Sequence, residues 1–147
     1  MSAKDTTIIN KFGKMAGWNS VTVNMLGRDL EGISEIEYDD NVEIEGAKGA
    51  GAFFCGYGEG NYVAKCTLTL FVEEWNALQK SLPSGSLVSD IDPFDIIVEY
   101  DYQGFKMKDK ITFCKIPGRG VSVKNGDKTI GYKTTLFVGG KIGWNIP

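Results

Sequence analysis

Apolar and polar residues alternate with a period of two along most of this chain, the signature of half-buried strands. The alternation begins over residues 21–25, and Gly27-Arg28-Asp29 supplies a turn, so a first hairpin is expected there. Over residues 36–45, Ile36, Tyr38, Val42 and Ile44 fall on one face. Glu35, Glu37, Asp39, Glu43 and Glu45 fall on the other. This predicts a strand with one side in the core and an acidic opposite side. Residues 62–72 alternate again, with Tyr62, Ala64, Cys66, Leu68, Leu70 and Val72 set against Lys65, Thr67 and Thr69, a composition suited to pairing with the acidic strand.

Between residues 73 and 82 the period becomes helical. Trp75, Leu78 and Leu82 form one stripe, Glu73 and Glu74 lie at the positive end of the helix dipole, and Pro83 and Gly85 end the segment. Residues 94–102 and 105–116 read as a hairpin closed by Gln103-Gly104, which sets Asp101 opposite Lys106 and Glu99 opposite Lys108. After a turn-rich stretch over 117–128, a last strand is expected over 129–138, with Ile130, Tyr132, Leu136 and Val138 in phase. Six or seven strands and one short helix make the expected fold mainly β.

Residues 46–60 break the pattern with six glycines and three aromatics, Phe53, Phe54 and Tyr57. So much glycine predicts a long loop, and the conformational entropy of ordering it exceeds what three rings return on an isolated domain. Large aromatics with no core to enter are an aggregation hazard unless a partner covers them. The loop is therefore expected to become ordered against a neighbouring molecule.

Composition narrows the function. The 147 residues, 42% hydrophobic, fit one domain over residues 1–147, with residues 1–19 as an N-terminal arm. A net charge of -3 provides no basic excess for holding nucleic acid. The first twenty residues lack the apolar run of a signal peptide, and no stretch is long and apolar enough to span a membrane. The absence of histidine excludes Ser-His-Asp and Cys-His catalysis and histidine-containing metal sites. Cys55, Cys66 and Cys114 show no C-x-x-C spacing and are expected to be unpaired. Gly56-Tyr57-Gly58-Glu59-Gly60 precedes a strand, whereas a phosphate-cradling loop leads into a helix. Asp90, Asp92 and Asp95 read as solvated surface in preference to a cation site. No catalytic residue, cofactor or metal is expected.

The order of parts and four stretches resemble the tail tube family shared by phages, prophages and type VI secretion tubes: Gly27-Arg28-Asp29-Leu30-Glu31-Gly32-Ile33, Gly58-Glu59-Gly60-Asn61-Tyr62, the helical residues 74–78, and Pro93-Phe94-Asp95-Ile96. The resemblance implies two packed antiparallel sheets forming a small barrel or sandwich flanked by the helix. It also implies rings of six subunits stacked into a tube, in a virion tail assembled in a bacterial cytoplasm, with sheath, baseplate or terminator proteins as further partners. In such proteins the loop between the second and third strands contacts neighbouring subunits, which assigns that role here to Gly46, Lys48, Gly49, Phe53, Phe54, Tyr57, Gly58 and Glu59. The inner wall of such a tube is a continuous sheet, which assigns Glu35, Glu37, Asp39, Glu43 and Glu45 to the channel, where repulsion lets DNA pass without specific binding. Lys106, Lys108 and Lys110 depart from an acidic wall. Three readings follow from the sequence: a phage tail tube subunit first, then a tube subunit of a type VI or contractile-injection system, then a monomeric β-barrel that binds a ligand.

Overall fold

The computed structural model describes Gly13, residues 15–102 and residues 104–147. Most of the expected N-terminal arm, and Gln103 in the expected hairpin turn, lie outside the described residues. The strands are β1 (Val21–Met25), β2 (Arg28–Asp29), β3 (Ile33–Lys48), β4 (Phe54–Phe71), β5 (Phe94–Tyr102), β6 (Phe105–Lys115), β7 (Gly131–Val138) and β8 (Ile142–Gly143), with one α-helix, α1 (Val72–Lys80). All pair antiparallel in one sheet ordered β2-β1-β5-β6-β7-β4-β3, and β8 pairs with β6.

The two layers expected from the sequence arise because this sheet folds over on itself. Its halves are joined along β6 and β7 by only Cys114 opposite Val138 and Lys115 opposite Phe137. So short a seam lets the halves face each other without closing a barrel. One core lies between them, built from Val23, Met25, Leu68, Leu70, Ile96, Val98, Ile111 and Leu136, with Trp75 and Leu78 of α1 packed into it. The helical stripe is thus as expected at Trp75 and Leu78, while Leu82 is half-buried beyond the helix end. The β5–β6 register also agrees with expectation, with Asp101 opposite Lys106 and Glu99 opposite Lys108.

The first turn lies earlier than expected. Leu26 and Gly27 carry the positive φ angles of 56° and 82°, which leaves Arg28 and Asp29 free to form β2. The stretch from Arg28 to Gly32 is anchored to α1. Glu74, 6% exposed, accepts from the Gly32 N–H at 3.1 Å and pairs with the Arg28 guanidinium. A Cβ on Gly32 would stand 2.9 Å from Glu74, so glycine is required for that approach.

The expected loop over residues 46–60 is instead mostly β-structure. β3 runs to Lys48 and β4 starts at Phe54, paired through Gly46 opposite Tyr57 and Ala47 opposite Gly56, so only residues 49–53 are irregular. Glycine here serves close packing across a ribbon: a Cβ on Gly46 would lie 2.6 Å from the Phe54 ring, and one on Gly60 would lie 2.5 Å from Glu43.

Candidate assembly interface

Beyond Asp40 on β3 and Ala64 on β4 the hairpin leaves the body of the protein. From residue 41 to residue 63 every position is exposed, so both faces of this two-stranded arm are open. The alternation of β3 continues along it, with bulges in the ladder between Val42 and Ile44 and between Ala47 and Lys48, but the core does not. Ile36 and Tyr38 pack against the core, whereas Val42 and Ile44, expected beside them, lie exposed on the arm. With their cross-strand partners they form a partly apolar face outside any core, interrupted by Glu59 and Lys48: Val42 opposite Tyr62, Ile44 opposite Glu59, Gly46 opposite Tyr57 and Lys48 opposite Phe54. The Lys48 ammonium sits 5.1 Å from the centre of the Phe54 ring. Phe53 at the tip is 86% exposed and Tyr57 71%.

The structure therefore collects Gly46, Lys48, Gly49, Phe53, Phe54, Tyr57, Gly58 and Glu59 on one projecting arm. It divides the five expected channel carboxylates. Glu35, Glu37 and Asp39 lie exposed on the outer face of the sheet, while Glu43 and Glu45 lie out on the arm. The outer face is not of one sign, because β4 and β7 bring lysines beside the acidic residues of β3. Lys65 stands opposite Asp39, and Lys133 of β7 reaches Glu35 at 3.5 Å. Within the other half, between β5 and β6, Lys108 pairs with Glu99 at 3.5 Å and Lys110 with Asp95 at 3.4 Å. Exposed pairs of this kind contribute little stability, roughly 0 to 1 kcal/mol, but they largely cancel the field of the acidic strand.

The base of the arm is fixed by a polar network that the sequence pattern did not reveal. Asp40 Oδ2 accepts from the Tyr62 hydroxyl at 2.8 Å and from Trp144 Nε1 at 3.0 Å. The Tyr62 oxygen accepts in turn from the Ile142 N–H at 3.0 Å. Trp144 stacks on Tyr38 with 5.4 Å between ring centres. Tyr38 donates inward to the buried Asp109, which also accepts from Tyr100 and from the Asn145 N–H. The chain end over residues 142–145 thus clamps β3 and β4 where the arm departs. Burial, reinforced by Asp109, pushes the Tyr38 hydroxyl well above its ordinary pKa. Tyr62 is also raised, first by desolvation, with the Ile142 N–H opposing and Asp40 adding.

Of the three carboxylates singled out over residues 90–95, Asp92 is exposed, and Asp90 and Asp95 have structural partners. Asp90 accepts from the Leu87 N–H, and Asp95 accepts from the Phe113 N–H besides pairing with Lys110. Cys55 is exposed and free, while Cys66 and Cys114 are free and buried, with burial pushing each thiol up to about 12. No helix among the described residues is long and apolar enough to cross a membrane.

No family model and no curated protein sequence matches this chain. Among solved structures, a chain of the anti-feeding prophage (AFP) tube terminating cap superposes with a TM-score of 0.65, covering 98% of this chain and 98% of its own at 12% identity. A chain of the PVC sheath-tube complex, from an extracellular contractile injection system in its extended state, gives a TM-score of 0.57 at 14% identity, covering 95% and 99%. This fold is shared with chains of contractile injection assemblies. A chain of the AFP baseplate shares it with a TM-score of 0.52 at 8% identity, over 86% of this chain and 93% of its own. At such identities the likeness is one of fold, and the role of this chain rests on its own surfaces. On this fold the projecting arm gathers exposed apolar and aromatic residues, Val42, Ile44, Phe53, Phe54 and Tyr57 among them, and the network around Asp40 and Asp109 holds its base.

Proposed function

We propose that this chain is a structural, non-catalytic subunit of a phage-type or contractile-injection tube, assembling with copies of itself into stacked rings around a channel. The arm carries this reading. A two-stranded ribbon open on both faces, bearing Phe53, Phe54 and Tyr57, buries too little by itself to be an end in itself, and a neighbouring subunit supplies the missing contact. Rings of six are supported by the fold shared with a chain of a baseplate described as six-fold symmetrised. The likeness to injection-system chains favours that class over a phage tail, and sheath and baseplate proteins are the natural further partners. A tube-terminating cap is the second reading, favoured by the TM-score of 0.65 over nearly the whole of both chains.

Negative-stain microscopy and sedimentation of the purified protein at rising concentration test the proposal. Rings or tubes are expected from the native chain, and folded monomers from the variant with Phe53, Phe54 and Tyr57 all changed to Ser. Native protein that stays monomeric throughout, or a variant that assembles normally, overturns it.

A further inference from the structure

Taking the arm as an assembly element, as proposed above, the structure also carries an answer to where it docks. The arm bears three carboxylates, Glu43, Glu45 and Glu59, which line a single open groove of about 440 Å³ together with Ile44. Among the described residues none of the three makes an ion pair. Glu59 stands opposite Ile44 on one face and Glu43 and Glu45 lie on the other, so the arm is acidic on both sides and apolar in part, which calls for a surface that is basic and apolar.

One segment of the same chain has that character. Between β6 and β7, residues 121–129 are exposed throughout, with Val121 at 59% and Val123 at 54%. The segment holds a defined turn. The Lys124 N–H donates to Asp127 Oδ2 at 2.8 Å, the Asp127 N–H donates to the Lys124 carbonyl at 3.0 Å, and Gly126 takes a φ of +99°. Lys124 and Lys128 flank this turn without an ion pair among the described residues, and Asp127, the one carboxylate present, is occupied within it. Arg119 does not compete for the arm, because it is held against α1 by the Trp75 carbonyl and Asn76.

The two surfaces cannot meet within one copy. β4 runs for 18 residues from Phe54 on the arm to Phe71, and Phe71 pairs with Gly131 at the foot of the basic segment. At roughly 3.3 Å per residue the strand spans up to about 55 to 60 Å between the arm tip and the foot of the segment, which puts the two at opposite ends of β4. Complementary surfaces at opposite ends make a heterologous contact, which propagates from copy to copy along an axis. We infer that the arm of one copy docks on residues 121–128 of the next, with Val121 and Val123 meeting the apolar arm and Lys124 and Lys128 meeting Glu43, Glu45 and Glu59.

Charge exchange tests this pairing. One variant carries Glu43→Lys, Glu45→Lys and Glu59→Lys, a second carries Lys124→Glu and Lys128→Glu, and a third carries all five changes. All five sites are exposed, so each variant is expected to keep the native circular dichroism and melting temperature. The first two should raise the concentration needed for tube formation about tenfold or more at low salt, and the third should recover most of that loss. Mixing the first two should also restore assembly, since each supplies the partner charge of the other. Separate variants that assemble like the native chain, or a combined variant that stays as impaired as they are, overturn the docking site. The Ser variant of Phe53, Phe54 and Tyr57 keeps the two ideas apart. If it still blocks assembly, the arm remains an assembly element and only its seat is wrong; if it too assembles, the proposed function itself falls.

Discussion

The Tyr38 hydroxyl donates to Asp109 Oδ2 at 2.5 Å, joining β3 of one half of the folded sheet to β6 of the other. Asp109 is 1% exposed, and its oxygens also receive Tyr100 at 3.3 Å and the Asn145 N–H at 2.9 Å. The carboxylate is tolerated in the interior because donors surround it, and the same donors depend on it. Asp109→Ala removes an acceptor shared by Tyr38, Tyr100 and the Asn145 N–H and should cost about 3 kcal/mol, a fall of roughly 6 to 12 °C in melting temperature. Tyr38→Phe, which leaves the carboxylate two donors, should cost about 1 kcal/mol. Thermal melts followed by circular dichroism give both values, and equal stability of the two variants would show that Asp109 is not the centre of the network.

Alkaline pH should destabilise the fold chiefly through three groups, with Tyr62 adding in the same direction. The Cys66 and Cys114 thiols rise from the ordinary 9.0 to about 12, and Tyr38 rises from 10.0. In each case burial is the main cause, and the protonated form is the one the folded state keeps. Between the ordinary and the raised value the unfolded chain has released a proton that the folded chain retains, so stability falls as pH rises. The contribution of these groups is complete below pH 9 and declines above it. Denaturant titrations from pH 7 to 11 should show the midpoint dropping above about pH 9, with a smaller drop for a Cys66→Ala, Cys114→Ala variant. A flat profile would mean that the two thiols ionise freely in the folded protein.

Glu74 joins α1 to the stretch from Arg28 to Gly32. Removing it strands the Gly32 N–H and the guanidinium, and with the carboxylate 6% exposed Glu74→Ala should cost about 2 to 4 kcal/mol. Glu74→Gln keeps an acceptor for Gly32 and should lose less. Gly32→Ala, which crowds Glu74 at 2.9 Å, should loosen the same joint from the other side. Chemical denaturation of the three variants checks the order, and a Gln variant as unstable as the Ala variant would shift the weight from the hydrogen bond to the charge.

How much of this was legible in the sequence depended on the range of the signal. Alternation located β5 and β6 and their register, and a helical stripe located α1, because those patterns are local. Alternation also assigned the faces of β3, since Ile36 and Tyr38 do turn inward and Glu35 and Glu37 outward. It could not say where the core stops, and so it placed Val42 and Ile44 inside when they lie on the arm. Glycine content misled at residues 46–60, because Gly46 and Gly60 make room for Phe54 and Glu43 within a ladder, a requirement that only the cross-strand pairing reveals. The clamp of Trp144 and Tyr62 on Asp40 joins residues up to 104 positions apart, and no short-range pattern carries it.

The arm has regular pairing but no core, so its amides should open more easily than those of the sheet body. A two-stranded ribbon is marginal by itself, whereas β4 at Leu68 and Leu70 is buried between β3 and β7. Hydrogen exchange on the free subunit should be fast over residues 41–63 and slow over residues 66–71. In assembled tubes the arm should gain protection while the sheet changes little. Equal protection of the arm in both states would mean that it is already held in the monomer and docks on nothing.

In the proposed tube, we place the outer sheet face in the channel, since its opposite side is filled by the core. Glu35, Glu37 and Asp39 stand there beside Lys65 and Lys133, so six copies would line a channel with alternating signs in place of a uniformly acidic wall. Such a wall neither repels a charged cargo strongly nor grips it, because each lysine is matched by a nearby carboxylate and little net field extends into the channel. The assignment is testable through access. Glu37→Cys, made together with Cys55→Ser to remove the exposed native thiol, places one reactive group on this face; Cys66 and Cys114 stay silent because they are buried and protonated at neutral pH. In monomers, a small maleimide and a maleimide carried on a large polymer should both label the new thiol. In tubes only the small reagent should reach it, since the polymer cannot enter a narrow channel closed on all sides by the wall. Labelling of tubes by the polymer at the monomer rate would place Glu37 on the outside and remove the whole face from the channel.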